Sequence, residues 1–175
     1  MTVVILNLLV RECRNVPTGS AGYAFAGAGR TMAILTGDMV RLGAQAKDKT
    51  DAIKQCGTLL VQAGCVAPAY VDGMLARERV MSNYLGNGVA IPHGESQDLA
   101  LVRRTGVSVL QLPEGVEWEP GENAHLVVGL AARSDELVGV LSNLLEVLRD
   151  PDCIDLLTHT TDPMVIVERL ARSPG

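Results

Sequence analysis

TGVSVLQLPEGVEWEPGENAHLVVGLAARSDELVGVLSNLLEVLRD, residues 105–150, is the stretch that decides the fold class. TGVSVLQLP (105–113) and AHLVVGLAA (124–132) read as strands, and the second is apolar enough to lie centrally in a sheet covered on both faces. The period then changes. SDELVGVLSNLLEVLRD (134–150) predicts a helix opened by Ser134, with acidic residues in its first turn and Leu137, Leu141, Leu144, Leu145 and Leu148 turned inward. Downstream, Pro151 and Asp162 each start a further short helix. Upstream, YLGNGVAIPHG (84–94) is a glycine-flanked β-rich run whose strand must stop at Pro92, because proline donates nothing to a sheet ladder. Before it, APAYVDGMLARERV (67–80) predicts a helix entered at Pro68, with an apolar stripe through Val71, Met74 and Leu75. AKDKTDAIKQCGTLLVQAG (46–64) predicts another, capped at Asp48 and stopped by Gly64, and MVRLG (39–43) a short strand. Strands interleaved with helices give an α/β sandwich, a central mixed β-sheet flanked by helices.

The first 31 residues are of another kind: an apolar run, a charged RECR, then a Gly- and Ala-rich stretch without period. The reading is an N-terminal appendage at 1–31, partly disordered in its Gly-rich part, ahead of one domain at 32–175, with Met32 as an alternative natural start. MTVVILNLLV lacks the preceding positive charge of a secretory leader, and it is far shorter than the ~18 to 20 apolar residues of a membrane span. A cytoplasmic protein without membrane insertion is expected.

The 175 residues carry a net charge of −5 and only 3% aromatics, which disfavours nucleic acid as a partner. Cys13, Cys56, Cys65 and Cys153 have no CxxC spacing, so neither a metal nor a disulfide is expected, and no cofactor motif is present. That leaves three histidines to weigh. His93 lies between Pro92 and Gly94, where a neutral imidazole can offer a ring nitrogen as nucleophile and Gly94 can let backbone amides approach an anion. A structural loop histidine is the competing reading. His125, at the start of a strand, reads as a half-buried polar residue or a neighbour of the site, and His159 as a loop or cap residue.

MLARERVMSNYLGNGVAIPHGE, Met74 to Glu95, resembles the active-site block of the mannitol/fructose-type IIA proteins of sugar phosphotransferase systems, in which MLxRE precedes YLGxGxAxPHG. TGVSVLQLPEGV, HLVVGLAAR, LSNLLEVL and LTHTTDP follow in the order of the same family, closest to mannitol-specific IIA, so the likeness runs from about Met39 to Leu170. The resemblance implies a phosphotransferase of the mannitol/fructose IIA fold. His93 would be the acceptor, tele-phosphorylated by phospho-HPr, and the group would pass to a cysteine of a IIB protein, with a IIC membrane component served indirectly. By the same resemblance Arg77 would hold the phosphoryl oxygens, its planar fork being suited to them. Otherwise Arg77 is a helix-end cation. Glu78, adjacent, would orient that guanidinium, and Asn87, Gly94 and His125 would support the site. One departure stands out: Leu137 occupies the place where mannitol-type members have a second histidine, which favours a regulatory role for His93 phosphorylation as the alternative to transport. A scaffold that has lost transfer is the third reading.

Overall fold

The computed structural model describes residues 33–133 and 135–171. The proposed appendage, Met32 and Ser134 lie outside the described residues. Five strands form one sheet in the order β1-β4-β5-β3-β2: β1 (Val40–Arg41), β2 (Tyr84–Gly86), β3 (Val89–Ala90), β4 (Gly106–Glu119) and β5 (Glu122–Ala131). The β1–β4 and β3–β5 pairs are parallel, and the β4–β5 and β2–β3 pairs antiparallel, so the sheet is mixed and β5 is its middle strand. Leu126 to Ala131 are all buried, as the uninterrupted apolar run demands of a strand covered twice.

Two polar contacts show that both faces are covered. Ser108 donates to the carbonyl of Cys56 in α1 (Lys49–Gln62), whereas Gln111 donates to the carbonyl of Leu157 in α4 (Pro151–His159). Three residues apart on one strand, these side chains point to opposite faces. α2 (Tyr70–Val80) packs on α1, and α3 (Leu137–Val147) on α5 (Pro163–Leu170). Asp48 caps α1 by accepting from the Asp51 amide, Gly64 follows it at φ +72°, and Asp150 and Asp162 cap α4 and α5.

Three local expectations need correcting. β4 continues past Pro113, through a register shift between Gln111 and Val116, into a hairpin arm that carries Trp118. Pro113, where the strand is expected to end, lies with Glu114 and Gly115 in an irregularity within one strand. In α3 the deepest positions are Val140 and Leu144, with Leu148 just beyond, whereas Leu137, Leu141 and Leu145 are half-buried. In α2 the buried stripe is Tyr70, Met74 and Glu78.

Candidate functional site

β3 stops at Ala90, and His93 follows at its carboxyl end beside the carboxyl end of β5, where it forms a parallel bridge with Leu130. The Pro92 carbonyl accepts from the Leu130 amide at 3.0 Å, so the proline keeps its one ladder contact while ending the strand. The ends of two parallel strands beside a helix terminus are a usual place for a ligand in an α/β sheet.

The His93 ring is half-buried, and its Nδ1 lies 2.9 Å from the Ile91 carbonyl oxygen. A carbonyl only accepts, so Nδ1 carries the proton and Nε2 keeps the in-plane lone pair. Burial holds the pKa below its ordinary value of 6.5; the Ile91 carbonyl opposes that, the Arg77 charge adds to it, and Glu78 acts against it. At neutral pH the ring is therefore uncharged, with a nucleophilic nitrogen in a fixed place.

Arg77 is in the last turn of α2, close enough for its charge to act on His93. Its Nη1 donates to the Met81 carbonyl at 2.7 Å. Glu78 does not orient it as the adjacent positions suggest, because the Glu78 side chain turns into the core, where it is 7% exposed. There one carboxylate oxygen accepts from Lys49 Nζ at 3.3 Å and Trp118 Nε1 at 3.0 Å. The other accepts from the Asn83 amide at 3.0 Å and from Asn83 Nδ2 at 2.8 Å.

Gly94 also differs from its expected use. Its amide donates to the Tyr70 hydroxyl at 3.0 Å, and that hydroxyl donates to the Leu130 carbonyl at 3.0 Å. The amide is thus committed to Tyr70, and a Cβ at position 94 would lie 2.7 Å from the Tyr70 ring. Glycine is needed here to seat a buried tyrosine beside the loop that carries His93. Burial pushes the Tyr70 hydroxyl up to about 12, so it stays a donor. Beyond it, the Glu95 amide donates to Asp98 and starts the 3-10 segment Ser96–Leu101.

Asn87 and His125 are not brought to His93. Asn87, at φ +52°, makes the Asn-Gly turn between β2 and β3, and the His125 amide donates to the Gly88 carbonyl beside it. His125 precedes Leu130 by five positions on β5, about 17 Å along the strand from the residue paired with His93. Asn87 and His125 instead line a separate cleft of about 420 Å3 with Asp155 and His159, the last residue of α4. Leu137 opens α3, half-buried against the core. The residues that sequence reasoning missed are Tyr70, Asn83, Lys49 and Trp118. Only Trp118, the single tryptophan, carried any signal as a probable buried anchor.

The α/β sandwich thus sets a neutral histidine at the carboxyl end of a strand, within reach of the charge of Arg77. Residues 33–173 match the model of the family described as "Phosphoenolpyruvate-dependent sugar phosphotransferase system, EIIA 2", and the chain belongs to that family. It is 52% identical over 140 residues to a multiphosphoryl transfer protein of Xanthomonas campestris pv. campestris, a match covering 80% of this chain and 17% of that protein. It is 41% identical over 136 residues to the mannitol-specific EIICBA component of Vibrio cholerae, covering 77% of this chain and 21% of that one. The chain thus spans about a fifth or less of the length of these relatives. Among solved structures, the crystal structure of IIA mannitol from Escherichia coli superposes with a TM-score of 0.72 at 40% identity, over 78% of this chain and 98% of that one.

Proposed function

We propose that the protein is a IIA phosphoryl carrier of a sugar phosphotransferase system, its domain spanning residues 32–175 and working in the cytoplasm. The observation that carries this is the hydrogen bond from His93 Nδ1 to the Ile91 carbonyl, which leaves Nε2 as an uncharged nucleophile. Nε2 attacks the phosphorus of phospho-HPr. The P–N bond to the donor imidazole breaks, that ring keeps the electron pair, and the new Nε2–P bond forms while the proton stays on Nδ1, hydrogen-bonded to the Ile91 carbonyl. In the second step a IIB cysteine thiolate attacks phosphorus, and the Nε2–P bond returns its electrons to the ring. Arg77 swings from Met81 to the phosphoryl oxygens, with Glu78 acting only through the core. No metal or cofactor is required.

Support for these partners comes from relatives. A complex of enzyme IIAMTL with phosphorylated enzyme IIBMTL from Escherichia coli has a component that superposes on this chain with a TM-score of 0.72 at 40% identity. Val80, Met81 and Leu85, all exposed, follow Arg77 in the chain and supply an apolar rim for transient docking. No helix among the described residues is long and apolar enough to cross a membrane; a IIC transporter would be served through IIB. A mannitol-type sugar is the proposed destination. The test is transfer from phosphorylated HPr followed by intact mass: one phosphoryl group is gained by the wild type and none by His93→Ala. No gain in the wild type, under conditions that label an active IIA protein, refutes the proposal.

A regulatory role for the same phosphohistidine is the second reading, favoured by Leu137, which presents no donor at the start of α3. Affinity capture separates the two: recovery of IIB supports transport, and recovery of a transcription factor or kinase without IIB supports regulation.

A further inference from the structure

The His93 tautomer that exposes Nε2 is the less favoured one for an imidazole in water, where the proton rests mostly on Nε2. Something must hold the Ile91 carbonyl in place for Nδ1 to keep the proton, and the connection can be followed bond by bond. The Ile91 amide donates to the Asn83 carbonyl at 2.9 Å. Asn83, itself 6% exposed, is held by two bonds from its backbone and side-chain nitrogens to one oxygen of Glu78. The other oxygen of Glu78 is held by Lys49 and Trp118. One buried carboxylate therefore ties the start of α1, the β4 hairpin arm and the segment entering β2 to the last turn of α2.

Burying a carboxylate costs desolvation, and an apolar side chain of the same size often stabilises a fold as well. An apolar side chain could not receive both donors of Asn83. The four donors around Glu78 fit a device for placement rather than for stability.

We infer that Glu78 and Asn83 are positioning residues for His93: the Glu78 carboxylate fixes Asn83, Asn83 fixes the Ile91 peptide, and the Ile91 carbonyl selects the tautomer whose Nε2 is free to accept a phosphoryl group. This rests on the carrier reading for its purpose but not for its geometry. Neither residue touches the phosphoryl group. Glu78→Gln keeps the shape but replaces one oxygen by an amino group, which must then face either the donors of Asn83 or those of Lys49 and Trp118. Asn83→Ala removes only the Nδ2 bond and leaves the backbone bonds to Glu78 and Ile91 intact.

The experiment is long-range 1H–15N NMR of the imidazole nitrogens in the full, uniformly labelled chain, needing no phosphoryl donor. The wild type should show a protonated Nδ1 and a bare Nε2 on His93. Losing one such constraint should change the tautomer ratio by about tenfold in Glu78→Gln and by less, in the same direction, in Asn83→Ala. Leu157→Ala, a core truncation beneath α4, is the control for general loosening and should leave the ratio unchanged. Steady-state transfer from phospho-HPr should then show kcat reduced in step with the fraction of His93 that keeps its proton on Nδ1, and KM for the donor unaltered. If Glu78→Gln does not fold, Asn83→Ala decides alone. An unchanged His93 ratio in a folded variant, or an equal change in Leu157→Ala, overturns the inference. Shifted tautomers in a protein that phospho-HPr cannot label would overturn the carrier reading and leave the positioning network standing.

Discussion

Tyr70→Phe removes one oxygen atom and tests how the acceptor loop is held. That hydroxyl receives the Gly94 amide and donates to the Leu130 carbonyl, each at 3.0 Å, from a side chain 4% exposed. Phenylalanine fills the same space, so no cavity term enters. The loss is two hydrogen bonds at about 0.5–1.5 kcal/mol each, plus about 1 kcal/mol or more if the Gly94 amide finds no new partner in its half-buried setting. The expected destabilisation is about 2–4 kcal/mol. With an m-value of roughly 2 kcal/mol/M in urea, the midpoint should fall by about 1–2 M with the slope unchanged. Equilibrium urea unfolding followed by Trp118 fluorescence reads this directly, since the chain has a single tryptophan. A midpoint within 0.3 M or so of the wild type would mean that water replaces the hydroxyl at little cost, and the claim that Tyr70 anchors the loop after His93 would be abandoned.

The His93 pKa should move in opposite directions in two variants, up in Arg77→Ala, which removes a charge that lowers it, and down in Glu78→Gln, which removes one that raises it; NMR titration of the ring protons measures both. Because the folded pKa lies below the unfolded value, the unfolded chain binds the proton more readily, so His93 contributes stability in full above about pH 6.5 and loses it as pH falls through the folded pKa. Urea midpoints from pH 7 to 5 should show that slope in the wild type and lose that part of it in His93→Gln. Arg77→Ala should slow phosphoryl acceptance by roughly 10- to 100-fold, the worth of one or two charge-assisted hydrogen bonds, while leaving the urea midpoint nearly unmoved; rapid-quench transfer from phospho-HPr is the assay. Gly94→Ala should unfold more easily than Tyr70→Phe, because its Cβ would overlap the buried ring, and a thermal melt at or above that of Tyr70→Phe would contradict this.

The starts of α1, α4 and α5 and the middle strand were legible because each follows from local chemistry, whereas α3 opens at Leu137 with no side-chain cap and no acidic residue in its first turn, not as the Ser134 opening predicts. Asp48, Asp150 and Asp162 are short acceptors ahead of periodic runs, and all three cap helices. Residues 126–131 are apolar without interruption, and a run of that kind fits only the inside of a sheet. The length of β4 was not legible, because a bulge and a turn use the same Pro, Glu and Gly residues and only cross-strand pairing tells them apart. Glu78 could have been found. Tyr70, Met74 and Glu78 are spaced by four, so a helix that buries the first two buries the third, but the charges of ARER draw the eye to a solvated end. His125 against His93 could not be judged, because their separation depends on the β3–β5 register, which no local feature states.

Leu137 and the buried Glu78 bear on one question, where a carrier of this family obtains its control. On the proposed carrier reading, a donor at position 137 is expected to act on the phosphoryl oxygens and to strengthen the phosphorylated state. Here the charged groups that act on His93 are Arg77, which bonds the Met81 carbonyl, and Glu78, fixed in the core. On the same reading, phosphorylation of His93 would place about two negative charges beside the guanidinium and, at one remove, beside the buried carboxylate. The first interaction is attractive and the second repulsive, so a site with one cation and one fixed anion holds the group less tightly than a site with two donors. Weak holding suits a relay, since a phosphoryl group bound too well would not leave for the next nucleophile. The lifetime of phospho-His93 at neutral pH measures that balance: Leu137→His should lengthen it, and an unchanged or shortened lifetime would show that position 137 lies outside the reach of the phosphoryl group.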